Sequence, residues 1–334
     1  MKKGLVLTLV ASMMMGIMTG CGNSSNEVAS VTTKEAQTTN SEMKKIGIVQ
    51  YVEHPSLDTI RESIIKTLAE NGYVEGENIT IEYQNAQQDQ SNLNSIASKF
   101  VGEDMDLIIA IATPSAQSMA AATEDIPIIF SAVTDPVGAK LIDDLQHPSG
   151  NVTGTSDAIP VDQVFELCKE LTPDVEKIGF LYTASEVNSQ SVIEEAKLLA
   201  GDYGFEYEEC TITTSSELKQ AAQMLVEKVD AIYTPIDNGI ASAMPVLTEV
   251  AREAKIPVYV GADSMVVDGG YATVGINYED LGKQTADMAT KVLQGTPISE
   301  IPVETLDNFY KVINATTAEA IGAPKEAEGA TIVE

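Results

Sequence analysis

The residues best suited to chemistry stand where short apolar runs end, and they carry hydroxyls, amides and carboxylates. Gln50-Tyr51 follows the first run, Ala112-Thr113-Pro114-Ser115 a later one, and Ala132-Val133-Thr134-Asp135 the next. In the second half, Tyr182 leads to Glu186-Val187-Asn188-Ser189, Thr234 to Asp237-Asn238, and Ala262 to Asp263. Hydroxyls beside the free N–H groups of a helix start make a receptor for an anion. Carboxylates facing them make one for a cation, and a zwitterionic amino acid needs both. Each position also has a plainer use. Asp135, Asn188, Asp237 and Asp263 precede predicted helices, where such side chains cap helix ends in any protein. His54 beside Pro55 reads as a loop residue.

The elements that must position these residues follow from hydrophobic spacing. Strand-like runs at 46–50, 79–83, 107–111 and 126–130 alternate with helical spacing at 58–71, 90–101, 115–122 and 136–145. After a break at 150–158 the rhythm restarts. Strands are expected at 177–182, 205–211, 231–234, 256–260 and 272–276, and helices at 188–203, 216–229, 239–254 and 278–294. Strands apolar on both faces argue for parallel sheets covered by helices. The expected fold is α/β, with two doubly wound lobes. Open sheets of this kind bind ligands at the carboxyl ends of their strands, where the polar strings lie.

Composition excludes several functions. The chain has 334 residues, with 20 Lys plus Arg against 50 Asp plus Glu and a net charge of −30. Its only arginines are Arg61 and Arg252. A nucleic-acid or polybasic membrane surface needs clustered cations, so neither is expected. Hydrophobic residues at 44% belong to a folded globular protein. No phosphate-binding glycine loop, nucleophile elbow or zinc-protease motif occurs. With His54 and His147 as the only histidines, a catalytic triad or histidine metal site has little material. No catalytic residue, metal or cofactor is assigned, although carboxylate-only acid–base chemistry stays open. Cys168 and Cys210 have no metal-site spacing, and they either pair or stay as thiols.

The first residues read as a leader. Lys2 and Lys3 precede an apolar run of about 14 residues, short of the ~20 that span a bilayer. It ends at Met18-Thr19-Gly20-Cys21, which resembles a bacterial lipobox with Met in place of the usual Leu. A signal peptide over 1–20, a lipid on Cys21 and a disordered polar tether over 21–43 are expected. That places the protein on the extracytoplasmic face of the cell membrane.

The strand-end strings also carry a family resemblance. His54-Pro55-Ser56-Leu57-Asp58, Asn85-Ala86-Gln87, Ala110-Ile111-Ala112-Thr113-Pro114-Ser115, Thr134-Asp135-Pro136, Asn151-Val152-Thr153-Gly154, Glu186-Val187-Asn188-Ser189, Asp237-Asn238, Tyr278-Glu279-Asp280-Leu281-Gly282 and Ile313-Asn314 occur in order. From about residue 45 to 322 the chain resembles ABC-transporter substrate-binding lipoproteins of the tryptophan/tyrosine-binding type. That resemblance implies the type I periplasmic binding protein fold, a small-molecule ligand held between the lobes, and ABC permease subunits as partners. It also implies a three-segment hinge, near 156–158, 276–278 and 304–306. One lobe would be 44–157 with 278–304, and the other 158–277 with 305–334. A lipid-anchored ligand sensor, or a secreted hydrolase, would be the alternatives. With neither arginine at a strand end, Ser115, Thr134 and nearby N–H groups are expected to hold a ligand carboxylate. Asp237, with Asp135 or Asp263 as alternates, would take the ammonium, and Tyr51 and Tyr182 would flank the side chain.

Overall fold

The structure is a computed structural model that describes residues 43–334, so the leader, Cys21 and the tether through residue 42 lie outside the described residues. The chain first runs β1 (Lys44–Gln50), α1 (Pro55–Glu70), β2 (Ile79–Asn85), α2 (Gln90–Gly102), β3 (Leu107–Ile111), α3 (Thr113–Ala122), β4 (Ile128–Ser131) and β5 (Val152–Ser156). It continues through α4 (Val161–Leu171), β6 (Lys177–Thr183), α5 (Val187–Ala200), β7 (Glu206–Ile212), α6 (Leu218–Leu225), β8 (Ala231–Thr234), α7 (Asn238–Ala241), α8 (Met244–Ala254), β9 (Val258–Val260), α9 (Asp263–Val267) and β10 (Ala272–Gly275). Last come α10 (Tyr278–Leu293), β11 (Glu304–Thr305), β12 (Tyr310–Asn314), α11 (Ala315–Ile321) and β13 (Thr331–Val333).

Two sheets result. The first has the order β2-β1-β3-β4-β5-β11 and is parallel throughout. All residues of β3, β4 and β5 are buried, which is why β3 and β4 read as apolar runs without alternation. The second has the order β7-β6-β8-β9-β10-β12-β13. Here one expectation is corrected, because β12 runs antiparallel to β10. Its first residue, Tyr310, pairs with Gly275 at the end of β10. The chain enters this sheet from the first lobe, at the ends of the parallel strands, and so must run back along them.

The helix expected at 136–145 is absent. Asp135 and Pro136 start a single turn, with Ala139 N–H bonded to Asp135 O and Leu141 N–H to Pro136 O. Lys140 then takes φ +59°, a left-handed conformation that ends helical winding. The helix expected at 239–254 is broken into α7 and α8, with Pro245 in the first turn of α8. The helix expected at 216–229 opens with a 3₁₀ turn and ends at Leu225. The polar stretch Val-Thr-Gly-Thr-Ser, which reads as a break, is the strand β5, buried between β4 and β11. Cys168 is buried, Cys210 is half-buried, and both are free thiols.

After the second sheet the chain returns to the first. The Thr285 hydroxyl of α10 lies 2.7 Å from Ser131 Oγ and 2.8 Å from Thr155 Oγ1, joining the helix to β4 and β5. Gly282 lets α10 lie close on α1, since a Cβ there would sit 2.8 Å from Ile60 O and 2.7 Å from the Ser63 Cβ. Gly282→Ala is therefore expected to destabilise by about 1–3 kcal/mol through overpacking. A urea midpoint equal to that of the unmodified chain would show that the two helices do not meet this closely.

Candidate functional site

In each sheet the chain leaves the first strand in one direction and returns on its other side, so β1 lies between β2 and β3, and β6 between β7 and β8. A crevice opens at the carboxyl ends of strands at such a reversal. The two crevices face each other with the lobes closed. His54 Nε2 of the first lobe is 3.2 Å from Asn238 Oδ1 of the second, and the Ser56 and Ser264 hydroxyls are 2.5 Å apart. Tyr51, at the end of β1, lies in the field of Glu186 and Asp237 across the cleft, and burial and these charges push its phenol upward.

On the first-lobe side the backbone is strained at two adjacent strand ends. Ala112 has φ +76° and ψ 154°, and Ala132 has φ +55°. A non-glycine residue in such a region costs about 1–3 kcal/mol, which the surrounding structure must offset. Ala112 leads directly into α3, which has no side-chain cap and carries Pro114 in its first turn, where a missing N–H costs nothing. Thr113 Oγ1 and Ser115 Oγ at this helix start are buried and have no hydrogen-bond partner. Uncapped N–H groups and two unpaired hydroxyls together suit an anionic group.

The second-lobe side is built on carboxylates. Asp237 caps α7, and its oxygens accept from Ile240 N–H at 2.9 Å, Thr183 N–H and hydroxyl at 2.7 Å each, and the Ser189 hydroxyl at 2.8 Å. Glu186 accepts from Asn238 N–H at 3.0 Å, Asn238 Nδ2 at 2.6 Å and Gly239 N–H at 2.8 Å. Burial, and then the neighbouring Asp237, push the Glu186 carboxyl well above the usual carboxylate range. Neither carboxylate forms an ion pair among the described residues. Asn188 donates from Nδ2 to Ile236 O at 2.9 Å, while its Oδ1 and Thr234 Oγ1 are buried without partners.

Thr113, Ser115, Asn188 and Thr234 thus present unpaired polar atoms at the strand ends. Tyr51, Ala132, Glu186, Ser189, Asp237 and Asn238 support or border them. Other expected residues are engaged elsewhere. Tyr182 borders Glu209 of β7 and Lys197 of α5, because alternation along β6 puts it on the face opposite Thr183. Gln50 is spent within the first lobe: Oε1 accepts from Arg61 at 2.9 Å, and Nε2 donates to Val52 O and Asp58. This also corrects the placing of the arginines. Arg61 does reach the end of β1, but its guanidinium is held by Gln50, Asp58 and Tyr83. Thr134 donates to Asp157 at 2.8 Å, a buried carboxyl raised to about 6 by desolvation. Asp135 caps its own turn through Gly138 N–H, and Asp263 accepts from Tyr310 OH at 2.6 Å and from Ser264 N–H. His54 is not a loop bystander. It is buried between the lobes, a role that depends on tertiary closure and has no local sequence signal.

Residues 45–326 match the profile of the family described as ABC transporter substrate binding protein. The chain is 45% identical over 322 residues to the tyrosine-binding protein of Clostridioides difficile (strain R20291), covering 96% of this chain and 93% of that one. It is similar to the ABC domain of Streptococcus pneumoniae solved in complex with L-Trp, with 40% identity, 87% of this chain and 100% of that one covered, and a TM-score of 0.84. The ligand-free, open structure of a substrate-binding protein with adhesive properties from Clostridium difficile is 46% identical, covers 87% of this chain and 99% of that one, and gives 0.68. The more similar sequence superposes less well, as expected when one structure is open and the other has its lobes joined through His54–Asn238 and Ser56–Ser264.

Because four donors converge on Asp237, Asp237→Ala is expected to destabilise the chain by about 2–4 kcal/mol, as buried N–H and O–H groups lose their acceptor. Urea unfolding measures this, and an unchanged midpoint would mean that the carboxylate does not hold α7 in place.

Proposed function

The chain belongs to the family of ABC transporter substrate-binding proteins, and from that premise we propose that it captures an aromatic amino acid, tyrosine or tryptophan, between its lobes. It delivers the ligand unchanged to a membrane permease. The observation that carries this reading is the set of four unpaired, buried polar atoms at facing strand ends, Thr113 Oγ1 and Ser115 Oγ on one lobe and Asn188 Oδ1 and Thr234 Oγ1 on the other. Buried polar atoms in native proteins are nearly always satisfied. A ligand rich in donors and acceptors would complete them.

Charge sets the ligand's direction. Asp237, with the Glu186 carboxyl beside it, makes the second-lobe side electronegative, and Arg61 is committed within the first lobe, its Nη1 to Gln50, Asp58 and Tyr83 and its Nη2 beside Glu62. The ligand carboxylate therefore lies toward the start of α3, against Thr113 and Ser115. Its ammonium lies toward Asn188 Oδ1 and Thr234 Oγ1. The buried carboxylates attract that ammonium through the field and not by contact, since protein donors already surround both. Thr134, committed to Asp157, belongs to the hinge and not to the carboxylate receptor. Tyr51 supplies a ring beside the ligand side chain, where aromatic contact adds about 0.5–1.5 kcal/mol beyond area burial. The aromatic class is supported by the tyrosine-binding relative and by the L-Trp complex of the streptococcal domain.

The family acts on the extracytoplasmic side, and Cys21 in its lipobox would fix the chain there through a lipid. Cells fed a labelled fatty acid are expected to label the unmodified protein and not Cys21→Ser, which should be shed into the medium. Equal labelling of both would rule out this anchor.

A thermal-shift series over the amino acids tests the ligand. Tyrosine or tryptophan at 100 times its Kd is expected to stabilise the folded chain by about 2.7 kcal/mol. No shift with any aromatic amino acid at millimolar concentration would overturn the assignment.

A further inference from the structure

We infer that His54 is a latch that holds the two lobes closed over the ligand, and that it does so only as a neutral imidazole. This rests on the reading of the cleft as a ligand site. His54 precedes α1 in an extended conformation and makes no capping bond, so its side chain is free to cross the cleft. It is 6% exposed, and its Nε2 lies 3.2 Å from Asn238 Oδ1.

Glu186 orients the amide of Asn238. Its Nδ2 donates to Glu186 at 2.6 Å and its backbone N–H to the same oxygen at 3.0 Å. Oδ1 is thereby presented to the imidazole, and an amide oxygen only accepts. The proton of His54 must sit on Nε2. That leaves Nδ1 as a bare lone pair, buried and without a protein partner. An imidazolium would place a second N–H at Nδ1 with no protein acceptor, so the closed arrangement selects the neutral ring.

The groups around His54 decide how pH acts. Asp58, one turn along α1, favours the charged ring but is shared with Arg61 and Gln50. Asn238 faces it from α7, with Glu186 behind, and Asp237 is enclosed by its own donors. Burial outweighs Asp58 and Asn238 and lowers His54 to about 4. With the lobes apart the ring meets water and returns to about 6.5. The folded closed form thus binds the proton less well than the open form. The latch is fully made above pH 6.5 and is lost as pH falls toward 4. Between pH 7.5 and 5.0 closure weakens by roughly 25-fold from this ring alone. The donors to Glu186 all belong to the second lobe, so lobe opening does not remove them.

Calorimetric titration with L-tyrosine and L-tryptophan across pH 5.0–7.5 tests this on the unmodified chain, His54→Ala and His54→Gln. His54→Ala is expected to bind about 5-fold more weakly at pH 7.5, the size of one net hydrogen bond. His54→Gln, which can place a donor at the Nε2 position, should recover most of that loss. It should also lack the acid weakening of the unmodified chain, and the difference between the two profiles isolates the His54 contribution. If the unmodified chain binds and both variants follow its affinity and its pH profile, the latch is overturned and the ligand reading stands. If neither amino acid binds, the ligand reading fails, and the latch is judged by nuclear magnetic resonance of the free protein. With only two histidines in the chain, and His147 exposed, the His54 signals are distinguishable. In the closed population, identified by His54–Asn238 contacts, a ring protonated on Nε2 and titrating near 4 supports the latch; a closed population whose neutral ring carries its proton on Nδ1, or that keeps its contacts with the ring charged, overturns it.

Discussion

Two carboxylates, Glu186 and Asp237, lie fully inside the second lobe with no ion-pair partner among the described residues. A buried charge is very costly, and two adjacent carboxyls raise that cost for each other, so the local fold is arranged around holding them. The answer is backbone. Thr183, Asn238, Gly239 and Ile240 all turn N–H groups onto the pair, and this fixes the end of β6 against the start of α7. Gly239 is glycine because a Cβ there would meet Thr183 Oγ1 at 2.7 Å and Gln88 Nε2 at 2.6 Å, closing the space where the lobes approach. The same negative potential gives the cleft its polarity. In the orientation we propose, it draws the ligand cation to one lobe and leaves the anion for the uncapped start of α3.

The first lobe contributes without net charge. Ala112 and Ala132 carry strained backbone at two adjacent strand ends, and on the proposed reading hydroxyls take the place an arginine would hold in a more basic protein. Behind it, Thr134–Asp157 ties the end of β4 to the segment leaving β5, and the Ser131, Thr155 and Thr285 hydroxyls tie both strands to α10. Each lobe therefore keeps its own core, while segments 157–160, 276–277 and 306–309 connect the two sheets. Rotation about such connections lets lobes part without breaking either core. Ligand binding then shifts the population toward the closed form by as much as its affinity differs between the two.

Much of this was legible in the sequence, and the failures have identifiable causes. β3 and β8 match their apolar runs residue for residue, since fully buried parallel strands leave no polar interruption. The strings at Thr113, Ser115, Asn188 and Thr234 were marked by position at strand ends, which the topology dictates. Tyr182 failed by one step of alternation, as a strand end does not reveal which of two neighbouring side chains meets the cleft. Pro136 signalled a helix start, but whether winding continues was decided at Lys140, whose backbone conformation is set by its surroundings. The roles of Arg61 and His54, and the existence and direction of β12, depend on segments far away in the chain. A guanidinium reaches across a helix turn, an imidazole meets the opposite lobe, and a strand takes its direction from where the chain re-enters the sheet.

A crystal structure of this chain grown with L-tyrosine tests the ligand's place and orientation. The amino acid is expected between the lobes, its carboxylate within about 3 Å of the Thr113 and Ser115 groups and its ammonium at the same distance from Asn188 Oδ1 and Thr234 Oγ1. A ligand in the reverse orientation, with its carboxylate toward Glu186 and Asp237, or one bound outside the cleft, would contradict this placement.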